Sequence, residues 1–262
     1  MLSKFVLLAT AFACLTSLSV AHMELEYPAP RRSQYSNYYR RKNDVDYDNF
    51  AFIGFKKTTY PCRGYKKGPI QATFKAGQTV NTKINGVNPH KGGHCQWALS
   101  YDNEKTFVVI HDEMDRCPLS RNYKVQIPKN APAGDAVFAW TWVNAEGNRE
   151  YYMNCADVRI EGPQGGSVTG PELLVVNLPK VNNLKIKEFA VDKSHGKALF
   201  KTRKTITVTN NGKITPPTNG GEDNKDKNKG KGKGKGKGKG KKDKKKPNKK
   251  GKRNHKRSFF AH

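Results

Sequence analysis

The sequence of 262 residues contains few acidic residues: 22 Asp and Glu stand against 49 Lys and Arg, giving a formal net charge of +27. This imbalance excludes an ordinary charge-balanced cytosolic enzyme. After residue 21 no apolar run reaches the roughly 18 residues that a membrane-spanning helix requires, which excludes a multispanning membrane protein. Outside the C-terminal region the glycines have no three-residue period, so a collagen-like chain is excluded as well.

The motifs of several large enzyme classes are also missing. The chain has no Gly-x-Ser-x-Gly elbow, no P-loop, no glycine-rich dinucleotide motif and no His-Glu-x-x-His pair. No segment shows the 3.6-residue apolar period of an amphipathic helix. No Cys-x2-Cys pair is present, which argues against a four-cysteine zinc site.

The first 21 residues have the pattern of a secretory signal peptide. Lys4 precedes an apolar segment over residues 5–18, and Ser19 and Ala21 put small side chains at the positions that a signal peptidase reads. We expect cleavage after Ala21, an extracellular protein, and His22 as the first residue of the mature chain.

Four cysteines remain in the mature chain: Cys62, Cys95, Cys117 and Cys155. An even number of cysteines in an oxidising compartment indicates disulfide bonds, and four cysteines allow three pairings. We predict Cys62–Cys155 and Cys95–Cys117.

Short β-rich runs separated by Gly, Pro and Asn turns dominate the chain. The runs cover residues 71–84, 96–101, 107–110, 136–143 and 149–160. The last two flank turn-forming residues 144–148 and form the best hairpin in the sequence. Together these features predict an all-β fold, an antiparallel β-sandwich of the immunoglobulin or fibronectin-III kind with long loops.

The predicted organisation has four parts. Residues 1–21 are the signal peptide, 22–180 the sandwich domain, 181–218 an extension or linker, and 219–262 a disordered Lys-Gly-rich tail. Residues 222–257 carry 19 basic and 4 acidic side chains and offer no apolar surface to offset chain entropy. We expect this tail to bind an anionic polymer or a cell surface. It has no interleaved aromatic residues for base stacking, so no specific nucleic-acid recognition is expected.

An N-terminal histidine is a metal chelator by its own chemistry. His22 would offer a ring nitrogen and the free α-amine, whose ordinary pKa of about 7.7–8.0 lets a metal displace its proton near neutrality. A second imidazole would complete three nitrogen ligands, a set that suits Cu(II). The candidates for this second ligand are His90, His94 and His111, with His195, His255 and His262 in poorer contexts.

His90 and His94 lie in a loop rich in proline and glycine. Their spacing of four residues resembles a helical zinc pair, but Pro89 and the Gly92-Gly93 dipeptide are incompatible with a helix. A solvated loop histidine with no ligand is the alternative interpretation of His90.

Five separated motifs resemble those of fungal lytic polysaccharide monooxygenases of auxiliary-activity family eleven, over roughly residues 22–180. In chain order they are His22-Met23-Glu24-Leu25, Tyr60-Pro61-Cys62, His90-x-Gly92-Gly93-x-Cys95-Gln96, Ala139-Trp140-Thr141-Trp142 and Gly147-Asn148-Arg149-Glu150-x-Tyr152-Met153-Asn154-Cys155-Ala156. The resemblance does not extend to the Lys-Gly tail.

This resemblance implies a catalytic centre with one copper ion per chain. His22 and His90 would be the equatorial ligands of a histidine brace, Tyr152 the axial residue, and Glu150 a neighbour that orients an oxygen species or substrate. It also implies oxidative cleavage of chitin or a related wall polysaccharide with O2 or H2O2 and an external reductant. We expect a monomer. On a strand, positions 150 and 152 share a face and Cys155 occupies the other.

Three departures from the family pattern leave alternatives open. Asn88 stands where the family usually has a small residue, and His94 is an extra imidazole that could bind a peroxide, bind an ion or have no role. The loop over residues 35–52 is either structural or part of a sugar-stacking surface. The alternative function is a non-catalytic protein of the same fold that binds copper or wall polysaccharide; Tyr152 favours the enzyme.

Overall fold

The computed structural model describes residues 22–211 and 213–215, and of residues 22, 214 and 215 it describes the backbone alone. All of them belong to one compact unit. The elements are β1 His22–Tyr27, α1 Asn37–Arg41, β2 Ala72–Lys75, β3 Thr79–Asn88, β4 Gly93–Ser100, β5 Val108–Glu113, β6 Asn122–Gln126, β7 Gly134–Asn144, β8 Tyr152–Glu161, β9 Ser167–Pro171, α2 Lys197–Lys201, β10 Thr205–Thr209 and β11 Ile214–Thr215.

Two sheets face each other across a shared core. One has the order β1-β3-β6 and the other β2-β8-β7-β4-β5, and a third small sheet has the order β11-β10-β9. All described strand pairs are antiparallel except β2 with β8. Leu25 and Ile84 of the first sheet are fully buried in one cluster with Trp97 and Trp140 of the second. The predicted all-β immunoglobulin-like sandwich is confirmed.

The predicted hairpin is β7–β8, in which Trp142 pairs with Tyr152 at the turn end. Both faces of β7 are covered, so its residues are buried without interruption from Ala136 to Asn144. Trp140 points into the core between the sheets, whereas Ala139 and Val143 belong to a second apolar cluster. A strand buried on both faces reads as a continuous apolar run, which is why the sequence here shows little alternation.

Both predicted disulfides are present. Cys62–Cys155 ties the segment before β2 to β8, and Cys95–Cys117 ties β4 to the loop after β5. Because Cys155 lies three residues after Tyr152, the first bond anchors β8 close to the candidate site.

The segment after residue 180, where the sequence indicates an extension or linker, is folded as far as the structure describes it. Ile186, Phe189 and Phe200 are buried in the second apolar cluster, together with Leu174 and Val176. Residues 205–209 form β10, which pairs with β9. The extension therefore covers the outer face of the five-stranded sheet.

The signal-peptide and tail predictions fall on residues 1–21 and 219–262, outside the described residues. Among the residues that are described, no helix is long and apolar enough to cross a membrane.

Candidate metal centre

His90 lies in a tight loop between β3 and β4. His90 and Lys91 have φ values of +43° and +55°, and Gly92 and Gly93 continue the left-handed backbone at +103° and +139°. A Cβ at Gly93 would lie 2.0 Å from the carbonyl oxygen of Val143, so only glycine fits there. The segment is not helical, as Pro89 and the glycines predicted, and the His90 side chain is partly exposed.

The backbone of β1 brings residue 22 to this loop. His22 is the register partner of Asn88, two residues before His90, with an irregularity between His22 and Met23. The side chain of Asn88 accepts a hydrogen bond from the His90 backbone N–H at 3.2 Å, and its Nδ2 lies 3.4 Å from Nε2 of the His90 ring. Asn88 therefore orients His90, and the position of the His22 side chain stays a prediction.

Tyr152 and Glu150 are in direct contact. The Tyr152 hydroxyl donates a hydrogen bond to Oε2 of Glu150, and both side chains are buried. Burial, together with the Glu150 hydrogen bond, raises the pKa of the Tyr152 phenol well above its ordinary value, so the phenol is neutral. Cys155 lies in the opposite cluster from Tyr152, which agrees with the strand alternation expected for these positions.

An aromatic wall joins Tyr152 to His90. The Trp142 ring stands 4.6 Å from the Tyr152 ring and 6.1 Å from the His90 ring, measured between centroids. Phe52 contacts Tyr152 edge-on at 6.5 Å. His90, Trp142, Tyr152 and Glu150 thus form one continuous group of contacts beside the start of β1.

The turn between β7 and β8 is held by its own polar side chains. Asn144 Nδ2 donates to the carbonyl oxygens of Glu146 and Asn148 at 2.7 and 2.8 Å. Nη1 of Arg149 donates to the Asn144 carbonyl at 3.0 Å, and its Nε and Nη2 donate to the Gly147 carbonyl at 3.1 and 2.9 Å. These bonds leave the turn little conformational freedom.

The β7–β8 turn contacts His90 on one side and is hydrogen-bonded to the extension on the other. A Cβ at Gly147, whose φ is +89°, would lie 2.9 Å from Nδ1 of His90. The Gly147 N–H donates to Oε1 of Glu188 at 2.6 Å, and the Phe189 N–H donates to the Ala145 carbonyl at 3.0 Å. The extension therefore fixes the turn against which the His90 ring rests.

His94 has a structural position, away from the group around His90. Its Nδ1 accepts the Asp115 backbone N–H at 3.0 Å, so its Nε2 carries the proton and donates to the His195 carbonyl at 2.8 Å. The ring packs against Phe189 and Phe200 at 4.7 and 5.0 Å. Of the alternatives for His94, the geometry favours no role at the centre.

The other candidate ligands are dispersed. His111 packs on Trp97 at 5.2 Å, and His195 forms a 2.7 Å ion pair with Asp115. His255 and His262 lie outside the described residues. Within the residues that the structure does describe, no group of three or more His, Cys, Asp or Glu side chains is placed to hold a metal.

The loop over residues 35–52 is anchored by buried polar contacts, which favours its structural interpretation. Nδ2 of Asn49 donates to the Arg31 carbonyl at 2.9 Å, and Nδ2 of Asn154 donates to the Asn49 carbonyl at 2.9 Å. Tyr38 and Tyr47 nevertheless remain exposed on it.

The residues present around His90 fit a copper ion by their chemistry. A partly exposed imidazole stands beside the backbone of residue 22 and a buried neutral phenol, and Glu150 is the carboxylate of this group. Nitrogen donors without a carboxylate cluster suit Cu(II) better than they suit Mg²⁺ or Ca²⁺.

Sequence reasoning missed the residues that support the centre from a distance. The sequence showed Asn88 only as a departure from the family pattern, and its role in orienting His90 was missed. Asn before Pro is a usual side-chain acceptor in turns. Trp142 lies within one of the five motifs, but its contact with both His90 and Tyr152 was not predicted. Glu188 had no signal, because it lies in a Lys-rich segment without a recognisable pattern.

Comparison with known proteins agrees with the sequence motifs. No family model matches the chain. The chain is 44% identical over 186 residues to AA11 family lytic polysaccharide monooxygenase A of Aspergillus fumigatus (strain CBS 144.89 / FGSC A1163 / CEA10), a match that covers 68% of this chain and 82% of that protein.

Two further similarities are more partial. An AA11 family lytic polysaccharide monooxygenase of Aspergillus oryzae is 30% identical over 125 residues, which is 39% of this chain and 30% of that protein. The crystal structure of HiLPMO9B matches 49% of this chain and 64% of its own, with 18% identity and a TM-score of 0.32. On the strength of the Aspergillus fumigatus relative, the chain belongs to the AA11 family of lytic polysaccharide monooxygenases.

Proposed function

We propose that this protein is a secreted, copper-dependent monooxygenase that oxidises glycosidic C–H bonds of chitin with O2 or H2O2 and an external reductant. The observation that carries the proposal is the pairing of the His22 backbone with Asn88, since it brings the start of the mature chain beside His90. Family membership supports the reaction type, and the buried Tyr152–Glu150 pair supports catalysis over simple copper binding.

In this proposal the chain's own residues divide the work. The α-amine and ring of His22 and the ring of His90 would hold the copper, which supplies one-electron redox chemistry when bound. Tyr152 stays a neutral phenol and would stand beside the metal. Glu150, with one oxygen bound to the Tyr152 hydroxyl, keeps its other oxygen for orienting a reacting group.

Substrate contact would involve the exposed surface beside His90. Val87, which directly precedes Asn88 in β3, is 82% exposed. An apolar side chain at this position suits the apolar face of a pyranose ring. The loop bearing Tyr38 and Tyr47 would extend this surface only if the polysaccharide chain reaches it.

Secretion with cleavage after Ala21 is part of the proposal, because a peptide bond before His22 would remove the free α-amine. One added N-terminal alanine should therefore weaken Cu(II) binding at least a hundredfold, as a chelating ligand is lost. Calorimetric titration of the two forms measures this. Equal affinities would contradict the role of His22.

Product analysis tests the activity. Mature copper-loaded protein, incubated with β-chitin and ascorbate, should release oxidised chito-oligosaccharides detectable by mass spectrometry. Tight copper binding without any oxidised product on chitin would instead support the non-catalytic copper protein.

The Lys-Gly-rich tail would act as an electrostatic anchor. Its 19 basic and 4 acidic residues over residues 222–257 attract polyanions through counterion release, with little selectivity for sequence or shape. Chitin is nearly neutral, so the partner of the tail would be an anionic wall polymer or cell surface. Such retention raises the concentration of the enzyme near its substrate.

A further inference from the structure

A cleft of about 720 Å³ is lined in part by Glu150 and by Phe52, which packs against Tyr152. It is formed by three segments: residues 52–60, residues 149–151 just before β8, and residues 177–181, which lead into the extension. Its volume is in the range of about 300–1,000 Å³ that is usual for small-molecule sites. A flat polysaccharide surface does not need a cleft of this volume, so the cleft suits a different ligand.

The walls of the cleft are apolar and partly aromatic. Phe52 and Tyr60 come from one segment, and Leu178, Pro179 and Val181 from the segment that leads into the extension. The Tyr60 ring packs edge-on against Tyr151 with centroids 6.4 Å apart, which fixes one wall. Walls of this kind accept a flat ring and exclude strongly hydrated ligands.

The charged residues of the cleft select an anion. Lys57 and Lys180 are exposed at its rim, and among the described residues neither forms an ion pair with a carboxylate. Arg149 adds a third positive charge. Of the described residues that line the cleft, Glu150 is the one carboxylate, and its Oε2 already accepts the Tyr152 hydroxyl.

Asn177 adds an unpaired donor to this wall. Its Oδ1 accepts the Ile186 backbone N–H at 2.9 Å, which determines which end of the amide is oxygen. Its Nδ2 is buried and has no hydrogen-bond partner among the described residues, although Asn177 lines the cleft.

We propose that this cleft binds a small aromatic carboxylate. The ring would lie between Tyr60 and Leu178, and the carboxylate would face Lys57 and Lys180. Phenolic acids belong to this class and can also donate electrons. An occupant beside Glu150 would lie near the candidate metal centre, where it could act as an electron donor. The role as an electron donor rests on the proposed function, whereas the binding itself does not.

Binding is measured on the full mature chain after removal of metal with EDTA, by ligand-observed NMR titration. The probes are 4-hydroxybenzoate and its neutral match 4-hydroxybenzamide, neither of which chelates metal strongly. The carboxylate should bind about fivefold or more tightly than the amide, from two rim ion pairs of ordinary strength. The result is independent of copper, so it separates this site from the proposed reaction.

Matched variants locate the site. Lys57→Gln with Lys180→Gln should weaken 4-hydroxybenzoate binding about fivefold, whereas Lys105→Gln with Lys124→Gln, on exposed positions elsewhere, should leave it unchanged. Circular dichroism confirms that each variant is folded.

Two results would overturn the proposal. One is equal binding of the carboxylate and the amide to the unmodified chain. The other is equal loss of binding in the cleft pair and the control pair, which would assign the affinity to the overall positive charge.

Discussion

At the scale of single residues, exposure separates the two histidines of the His90–His94 loop. His90 is partly exposed and its backbone is held by Asn88, whereas His94 is buried among aromatic rings and bound at both ring nitrogens. Four residues of sequence therefore separate a ligand candidate from a packing residue.

His90→Ala should abolish copper binding and oxidised products while leaving the fold intact, because the side chain makes few packing contacts. We expect a change in melting temperature of only a few degrees, for a stability loss of about 1 kcal/mol or less. Electron paramagnetic resonance of the Cu(II) form and a thermal melt measure the two properties. If His94→Ala, and not His90→Ala, removes the copper signal, the assignment of the ligand is wrong.

His94 should make stability depend on pH. Burial lowers the pKa of its imidazole below the ordinary value, so at pH values between the folded and unfolded pKa the unfolded chain binds more protons. Stability from this group is present above about pH 6.5 and is lost as the pH falls. The groups facing it are Asp115, Lys197 and His195.

His94→Gln removes the titration, and its two lost or altered hydrogen bonds should cost about 1–3 kcal/mol at pH 7. Urea unfolding of both forms between pH 7.5 and 5 should show a smaller loss of stability on acidification for the variant. Parallel curves for the two proteins would mean that other groups cause the acid sensitivity. Copper affinity at pH 7 should change little.

At the scale of elements, the extension after residue 180 acts as a clamp on the β7–β8 turn. Glu188 accepts the Gly147 N–H, and Gly147 leaves room for the His90 ring. The contact joins positions 41 residues apart, so it depends on the whole segment being folded against the sheet.

Glu188→Ala should loosen this turn and weaken Cu(II) binding about threefold to tenfold, because His90 loses its support on one side. Glu188→Gln keeps an acceptor oxygen and should restore most of the affinity. Glu172→Ala is the control, because Glu172 is an exposed carboxylate outside the β7–β8 turn and the segment that holds it. Calorimetry measures the Cu(II) affinity of the three variants. An unchanged affinity in Glu188→Ala would show that the turn holds His90 without the extension.

At the scale of the whole molecule, positive charge is concentrated in residues 222–257. A chain ending at Gly221 should turn over soluble chito-oligosaccharides at the rate of the full-length protein. Only the long form should be retained on anionic polysaccharide or cell walls, and about 1 M salt should release it, since the Debye length there is about 3 Å. Retention that survives this salt concentration, or that is equal for both lengths, would exclude an electrostatic anchor.

Local patterns were sufficient for a large part of this molecule. β-rich runs and turn residues are properties of a few adjacent positions, so the hairpin of residues 136–160 and the all-β class could be predicted. The Gly92-Gly93 dipeptide excluded a helix around His90 for the same local reason. The separated motifs identified the family, and both predicted disulfides are present.

Only the tertiary structure decided the contacts between positions that are distant in the sequence. Glu188 reaches Gly147, Asn177 lines a cleft with Lys57, and His94 is covered by Phe189 and Phe200, although no local pattern marks any of these pairs. The cause is physical: such contacts follow from how the extension covers the second face of β7 and β4. That packing depends on apolar area summed over many residues and not on the order of neighbours in the chain.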